Sequence, residues 1–415
     1  MLEGRQVLSS WSKDSWSVDF SNGKRRKVDE HYLRNGGNNF DIVVLQSSLD
    51  LDATSDCSSD DNNQYDANSL IQSLGRDISI NCLMRCSRSD YGSIASLNHA
   101  FSNLVRTGEL YRLRRMAGIM EHWVYFSCNM LEWEAFDPCS RRWMHLPRMP
   151  PNDCFMCSDK ESLAVGTELL VFGKEVSSHI VLRYSILSNT WSSGVEMNSP
   201  RCLFGSASLG EIAIVAGGCN AHGLIHKSAE LYNSETRTWE ILPSMNVPRK
   251  MCSGVFMDGK FYVIAGVSSN GNNRQLTCGE EFNLETRSGR VIDNMFPAAL
   301  NRTIGAPPLV AVVNNELYSA DHAEKKLKKY DKKNNSWIIL GGLPERSASV
   351  NGWGIAFRAC GERLIVISNA GPRAQAGSGN IDINSWIPGD GPPEWEFIGR
   401  KPSGTFVYNC AVMGC

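Results

Sequence analysis

Neither sign of charge is in excess in this chain. Across 415 residues, 42 Lys and Arg stand against 44 Asp and Glu, a formal net charge of −2, so no global basic field argues for nucleic acid. No apolar run approaches the length of a membrane span, and no charged-then-apolar leader opens the sequence. The 14 cysteines follow no short regular framework, which predicts free thiols in a reducing compartment, cytosol or nucleus. Histidine is scarce: only eight occur, and His122, His145, His179, His222, His226 and His322 are scattered. A multi-histidine metal centre needs such side chains to converge. Cys219-x-x-His222-x-x-x-His226 has a spacing that zinc could use, but it lies in one loop and lacks a fourth ligand. Cys154-x-x-Cys157 has no second pair and reads as two strand-border thiols. Walker, Gly-x-Ser-x-Gly and His-Glu-x-x-His motifs are missing. These absences predict no catalytic residue, no cofactor and no metal.

What is present is a spacing. An aromatic residue is followed seven positions later by tryptophan at Phe136…Trp143, Tyr184…Trp191, Tyr232…Trp239 and Tyr330…Trp337; at Phe282 the partner position is Gly289. The marker positions lie 48, 48, 50 and 48 residues apart, and Trp395 follows after 58. Short apolar runs such as Ile212-Ala213-Ile214-Val215 and Phe261-Tyr262-Val263-Ile264 precede glycines and have the length of strands buried on both faces. A period near 50 with Gly and Trp markers predicts a propeller, one four-stranded blade per period. Six marker positions predict six blades. Trp123-Val124-Tyr125-Phe126 is already a second strand, and Thr405–Met413 matches first strands, so the last strand is expected to close the ring onto the first blade.

Three regions follow. Residues 1–69, rich in Ser, Asn, Asp and Gly, are expected to be a disordered tail. They carry the basic run Lys24-Arg25-Arg26-Lys27, which reads either as a nuclear signal or as a solvated charge run. Residues 70–118 show apolar positions at helical separations, among them Ile78, Leu83, Ile94, Leu97, Phe101, Leu104 and Leu110, and predict three short helices. Residues 119–415 form the propeller. The fold class is all-β with a small helical segment before it.

The unit from Cys202 to Pro248, with Gly217-Gly218, Tyr232 and Trp239, resembles the kelch repeat. Elsewhere the double glycine is lost: Gly173 precedes Lys174 and Gly266 precedes Val267. The stretch Leu74-Gly75-Arg76-Asp77-Ile78…Leu83…Leu97…Phe101 resembles an F-box, with Gly75 in place of a proline and Phe101 in place of a tryptophan. F-box and kelch repeats on one chain are similar to a large plant F-box/kelch-repeat family. That resemblance implies a non-catalytic substrate adaptor of a Skp1–cullin–F-box ubiquitin ligase, working in the nucleus or cytoplasm. Leu74, Asp77, Ile78, Leu83, Leu97 and Phe101 would then bind a Skp1-like adaptor and through it a cullin, while the propeller holds a protein substrate. Arg201 and Arg249 follow prolines just before first strands, and Arg302 and Arg346 occupy similar junctions. Such junctions ring the channel mouth in kelch propellers, which makes these arginines candidate substrate contacts for acidic or phosphorylated segments. The competing reading is pairing within the propeller to Glu230, Glu280 or Glu281. Two other functional classes remain: an interaction scaffold without ubiquitin chemistry, and a propeller metalloenzyme. The sequence is silent on the substrate.

Overall fold

The structure, a computed structural model, describes residues 70–71, 74–129, 131–150, 155–156, 161–175, 178–199, 201–268, 274–297, 305–345, 351–370, 379–402 and 404–415. The tail 1–69 with its basic run, Cys154, Cys157, Arg302 and Arg346 lie outside the described residues. Two compact units meet between Ser79 and Ile80, within the first helix.

Six sheets make the propeller. Blades 3 to 6 run in chain order, for example Gly205–Leu209, Ile212–Ala216, Ala229–Asn233 and Thr238–Leu242 in blade 3. In blade 2, Ser162–Val165 and the short Phe155–Met156 both pair with Glu168–Glu175. Blade 1 is assembled from both ends of the ring: Asn409–Gly414 pairs with His122–Ser127, followed by Trp133–Asp137 and Arg142–His145. Six residue pairs, from His122↔Gly414 to Ser127↔Asn409, close it.

The recurring aromatic spacing has a simple cause. Phe136↔Trp143, Tyr184↔Trp191, Tyr232↔Trp239 and Tyr330↔Trp337 are directly opposed pairs on the third and fourth strands, with ring centroids 4.7 to 5.4 Å apart. Cross-strand aromatic pairs stabilise a hairpin. The turn between them also repeats. Asn233 Oδ1 accepts from the Glu235 and Thr236 amides, and Asn283 and Asp331 do the same in blades 4 and 5. The residue ending the turn is left-handed: Arg237, Arg287 and Asn335 have φ near 50°. A short polar side chain that mimics a turn backbone explains why Asn or Asp follows the aromatic.

Four of the tryptophans also reach backward. The indole N–H of Trp191 donates to Pro147 O, Trp239 to Val195 O, Trp337 to Met295 O and Trp395 to Gly342 O, at 2.7 to 3.0 Å. Every acceptor is on the exit of the preceding blade. Trp239 is fully buried, edge-on to Phe172 of blade 2. Blade 4 has Phe282↔Gly289 instead and can make no such bond to blade 3. There an Arg287–Glu240 ion pair crosses the seam.

The double glycine sits where two connections touch. Gly217 and Gly218 have φ of +71° and +92°, and a Cβ on them would lie 2.3 Å from Arg249 O and 2.5 Å from Cys202 O. In blade 4, Ala265 stands at the first position with φ 55° and Gly266 at the second. The sequence reading, which took Gly266 as the first glycine, was therefore one residue out of register. The second position is the crowded one: a Cβ on Gly266 would lie 2.6 Å from Lys250 O at φ +104°. Only glycine tolerates both conditions.

The Trp239 position yields a test. Trp239→Ala should destabilise the protein by about 3–5 kcal/mol, and Trp239→Phe, which keeps ring area but loses the bond to Val195, by about 1 kcal/mol. Chemical denaturation followed by near-UV circular dichroism measures both; equal losses would mean that the inter-blade bond rather than ring area decides.

Candidate functional site

The helical segment has four short helices, not three: α1 Arg76–Arg85, α2 Tyr91–Ala95, α3 His99–Arg106 and α4 Glu109–Met116, with a 3-10 turn Arg88–Asp90 before α2. Gly92, a helix-weakening residue, is inside α2 rather than at a break. The break comes earlier, where Ser87 caps the 3-10 turn. Asn98 caps α3 by accepting from the Phe101 amide at 2.9 Å.

In the unit that ends at Ser79, Leu74 is half-buried, while Asp77 and Ile78 are exposed, Ile78 by 51%. The Ser79 hydroxyl donates toward the carbonyls of Leu74 and Gly75 and accepts from the Ile71 amide. A Cβ on Gly75 would meet nothing within 4 Å, so the space a proline ring would need there is open at that atom. In the larger unit, Leu97 is 70% exposed, but Leu83 and Phe101 are core. The reading of Leu83 and Phe101 as contact residues is thus corrected: with Leu104, Leu110 and Tyr111 they hold the segment together from inside.

Arg114 on α4 is fully buried. Its guanidinium donates to Met84 O, Cys86 O and the Tyr91 hydroxyl at 2.7 to 3.0 Å, and to Glu121 Oε1 at 2.8 Å. A cation on the last carbonyls of α1 satisfies groups the helix leaves open and suits its dipole. Arg88 does the corresponding work at the propeller. It donates to the Tyr125 hydroxyl at 2.6 Å and to Cys415 Sγ at 2.8 Å, and lies 4.7 Å over the Trp123 ring. Burial pushes the Tyr125 phenol up to about 12 against the pull of Arg88, so the phenol is neutral at physiological pH. Glu121 accepts from the Arg88 amide and exchanges backbone hydrogen bonds with Cys415. Arg88, Arg114, Glu121 and Cys415 were all missed in the sequence, where they sit in polar stretches with no periodic signal.

These contacts seat the helices at the propeller end that carries the turns between first and second strands. Arg115 pairs with Glu211 in the blade 3 turn, and Arg142, just after the blade 1 hairpin turn, pairs with Asp90. Arg115, Met120 and His122 border that end of a central channel of about 740 Å³, whose walls are small side chains such as Ser206, Ser208, Ala311 and Ala411.

Arg201 and Arg249 are not at a channel mouth. Both are 0% exposed. Arg201 donates to Glu230 at 2.5 Å and to the carbonyls of Gly217 and Ser228; Arg249 donates to Glu280 at 2.8 Å and to the carbonyls of Ala265 and Cys278. The two carboxylates also accept amides from the preceding blade's exit, Asn198 for Glu230, and Asn246 and Val247 for Glu280. The substrate-contact reading of these two arginines is corrected: each guanidinium is buried on the carboxylate that ties its blade to the preceding exit. Arg302 and Arg346 lie outside the described residues.

A six-bladed propeller of kelch architecture with residues 80–118 seated on one end defines the class of protein. The Kelch motif profile matches residues 200–246 and 248–288, the two units that hold the Arg–Glu pairs. The chain is 61% identical over 375 residues to the Arabidopsis thaliana F-box/kelch-repeat protein SKIP11, covering 87% of this chain and 78% of that protein. It is 58% identical over 364 residues to F-box/kelch-repeat protein At1g26930 of the same plant, covering 86% of each, and 56% identical over 362 residues to At1g74510. The chain belongs to the plant F-box/kelch-repeat protein family.

Two outcomes follow from these buried groups. Arg249→Ala leaves Glu280 as an unpaired buried carboxylate and should cost about 3–5 kcal/mol; an unchanged melting temperature with lost partner binding would return Arg249 to the recognition surface. The second concerns pH. Burial first, and Arg88 second, press the His122 pKa below its ordinary 6.5; burial and Lys174 lower His179 to about 4. Groups depressed in the folded state add stability that is whole above the unfolded pKa and is lost as pH falls through the folded one. Melting temperature should therefore drop between pH 6.5 and pH 4, and the double variant His122→Gln/His179→Gln should flatten that slope. A slope as steep as the parent's would show that carboxylates govern it.

Proposed function

We propose that this protein is the substrate receptor of a Skp1–cullin–F-box ubiquitin ligase in the nucleus or cytoplasm. Residues 70–118 dock a Skp1-like adaptor, the propeller holds the protein to be modified, and neither part performs chemistry itself. The observation that carries this reading is the pairing on one chain of an F-box-like helical segment with a kelch propeller, in a family whose relatives are named F-box/kelch-repeat proteins. The exposed Asp77, Ile78 and Leu97 are side chains available to a partner. Leu83 and Phe101 act by keeping the segment folded.

Affinity purification of the intact chain tests it. A Skp1-like adaptor and a cullin should accompany the protein, and Ile78→Glu/Leu97→Glu should reduce their recovery at least tenfold, the loss expected from burying unpaired charges in an apolar contact, with melting unchanged. Recovery of other proteins without adaptor or cullin would make it an interaction scaffold.

A further inference from the structure

Two thiols touch inside blade 3. Cys202 stands at the entrance of the blade, and Cys219 near the start of the long connection, residues 217–228, that joins its second and third strands. Their Sγ atoms are 3.5 Å apart, and both residues are buried, with 0% and 3% exposure. The backbones form an antiparallel bridge, each amide donating to the other's carbonyl at 2.9 Å. Such a pair holds its Cα atoms about 5.5 Å apart, inside the span of roughly 4.4–6.8 Å that a disulfide bridges. Bringing the sulfurs to bonding distance therefore takes side-chain rotation and leaves the strands where they are.

The next blade shows that the fold does not require sulfur at these positions. Cys202 follows Arg201 and Cys219 follows Gly218, as Lys250 follows Arg249 and Val267 follows Gly266. Lys250 and Val267, at the foot of the long connection of blade 4, make the same bridge with hydrogen bonds of 2.8 and 2.9 Å. The bridge is common to both blades, and the dithiol belongs to blade 3.

The surroundings divide the roles of the two sulfurs. The hydrogen bond between the thiols lowers the Cys219 pKa against the effect of burial, and the same bond raises that of Cys202. The positive charge of Lys250 acts on both, while the carboxylate of Glu161, which accepts from the Leu203 amide, opposes ionisation of Cys202. The first proton of the pair thus leaves more readily than the second, and the nucleophilic thiolate is Cys219. Ile225 covers the pair: it bridges Cys219 and packs in one cluster with both cysteines. Residues 221–224 just before it are exposed, so local opening of this connection admits a small oxidant.

We propose that Cys202 and Cys219 are an oxidation site, a dithiol that a hydroperoxide converts to a disulfide. The Cys219 thiolate attacks one peroxide oxygen, the O–O bond breaks, and hydroxide leaves Cys219 as a sulfenic acid. The Cys202 sulfur then attacks the Cys219 sulfur; the S–S bond forms, the S–O bond breaks, and the oxygen departs as water with the Cys202 proton. Two thiols give up two electrons and two protons, and hydrogen peroxide takes them up as two waters. The product ties the entrance of blade 3 to the foot of its long connection and restrains the unfolded chain. Under reducing conditions such a bond lasts only while the oxidant does.

The full-length chain, reduced and freed of reductant, is treated with hydrogen peroxide, alkylated in denaturant and digested without reductant. Mass spectrometry should find a peptide that joins Cys202 to Cys219, lighter by two hydrogens than the two reduced peptides together, and dithiothreitol should remove it. The melting temperature of the parent should rise on oxidation and return with dithiothreitol. In Cys219→Val, which places the blade 4 residue in blade 3, peroxide should not raise it. The proposal is overturned if Cys202 and Cys219 both stay open to alkylation while the exposed Cys82 and Cys139 are oxidised, if either is found joined to a different cysteine instead, or if Cys219→Val shows the same rise as the parent.

Discussion

A ring of six sheets has one junction that chain connectivity does not make. Here it is the pairing of Asn409–Gly414 with His122–Ser127, between segments almost three hundred residues apart. Without it, two sheet edges face solvent and the wedge between blades 6 and 1 loses the cluster built from Phe126, Phe136, Ile365, Ile383 and Cys410. The helical segment depends on the same junction. Arg88 holds a side chain from each partner, Tyr125 and Cys415, while Glu121 bonds the Cys415 backbone. A cation buried there needs both strands in place, since either alone would leave it short of acceptors. Closure of the ring and seating of residues 80–118 on it are therefore one cooperative event rather than two.

Arginine has two uses in this molecule, and burial separates them. Arg88, Arg114, Arg201 and Arg249 are internal fasteners: Arg88 spends its donors on a hydroxyl and a thiol, the other three on carbonyls together with a hydroxyl or carboxylate. Five fixed donors suit a site where several acceptors converge, and in all four cases the acceptors belong to different segments of the chain. Arg141 and Arg287, half exposed, make surface ion pairs with Glu396 and Glu240 instead. That contrast assigns Arg201 and Arg249 to cohesion at the strand junctions, the opposite of their first reading.

Why the sequence told one part and hid the other follows from range. The Tyr232–Trp239 pair, the Asn233 turn and the apolar second strands are local, set within ten residues, and they repeat; six blades could be read from them. The closing strand was legible because Thr405–Met413 has the composition of a first strand with no blade of its own. The fate of Arg201 turns on Glu230, 29 positions on, and a Pro-Arg junction looks the same whether the guanidinium points inward or out. Three helices were expected where four form because the separations of three and four from Ile94 through Leu97 to Phe101 run on across residues 96–98, where the backbone turns and Asn98 caps a new helix. The one-residue slip at Gly266 arose because Ala265 adopts a positive φ that its side chain does not advertise.

The two ends of the propeller follow from strand direction. In each blade the turn between first and second strands lies at one end and the connection between second and third at the other, so a segment seated on the first cannot obstruct the second. With Arg115 bound to Glu211 at one end and the long connections of blades 3 and 4 at the other, the seat of residues 80–118 and those connections stand a full strand apart. A strand of five residues spans roughly 17 Å, so nothing bound at one end touches the side chains of the other. Any coupling between them must pass through the ring, whose close-packed blades resist gradual deformation.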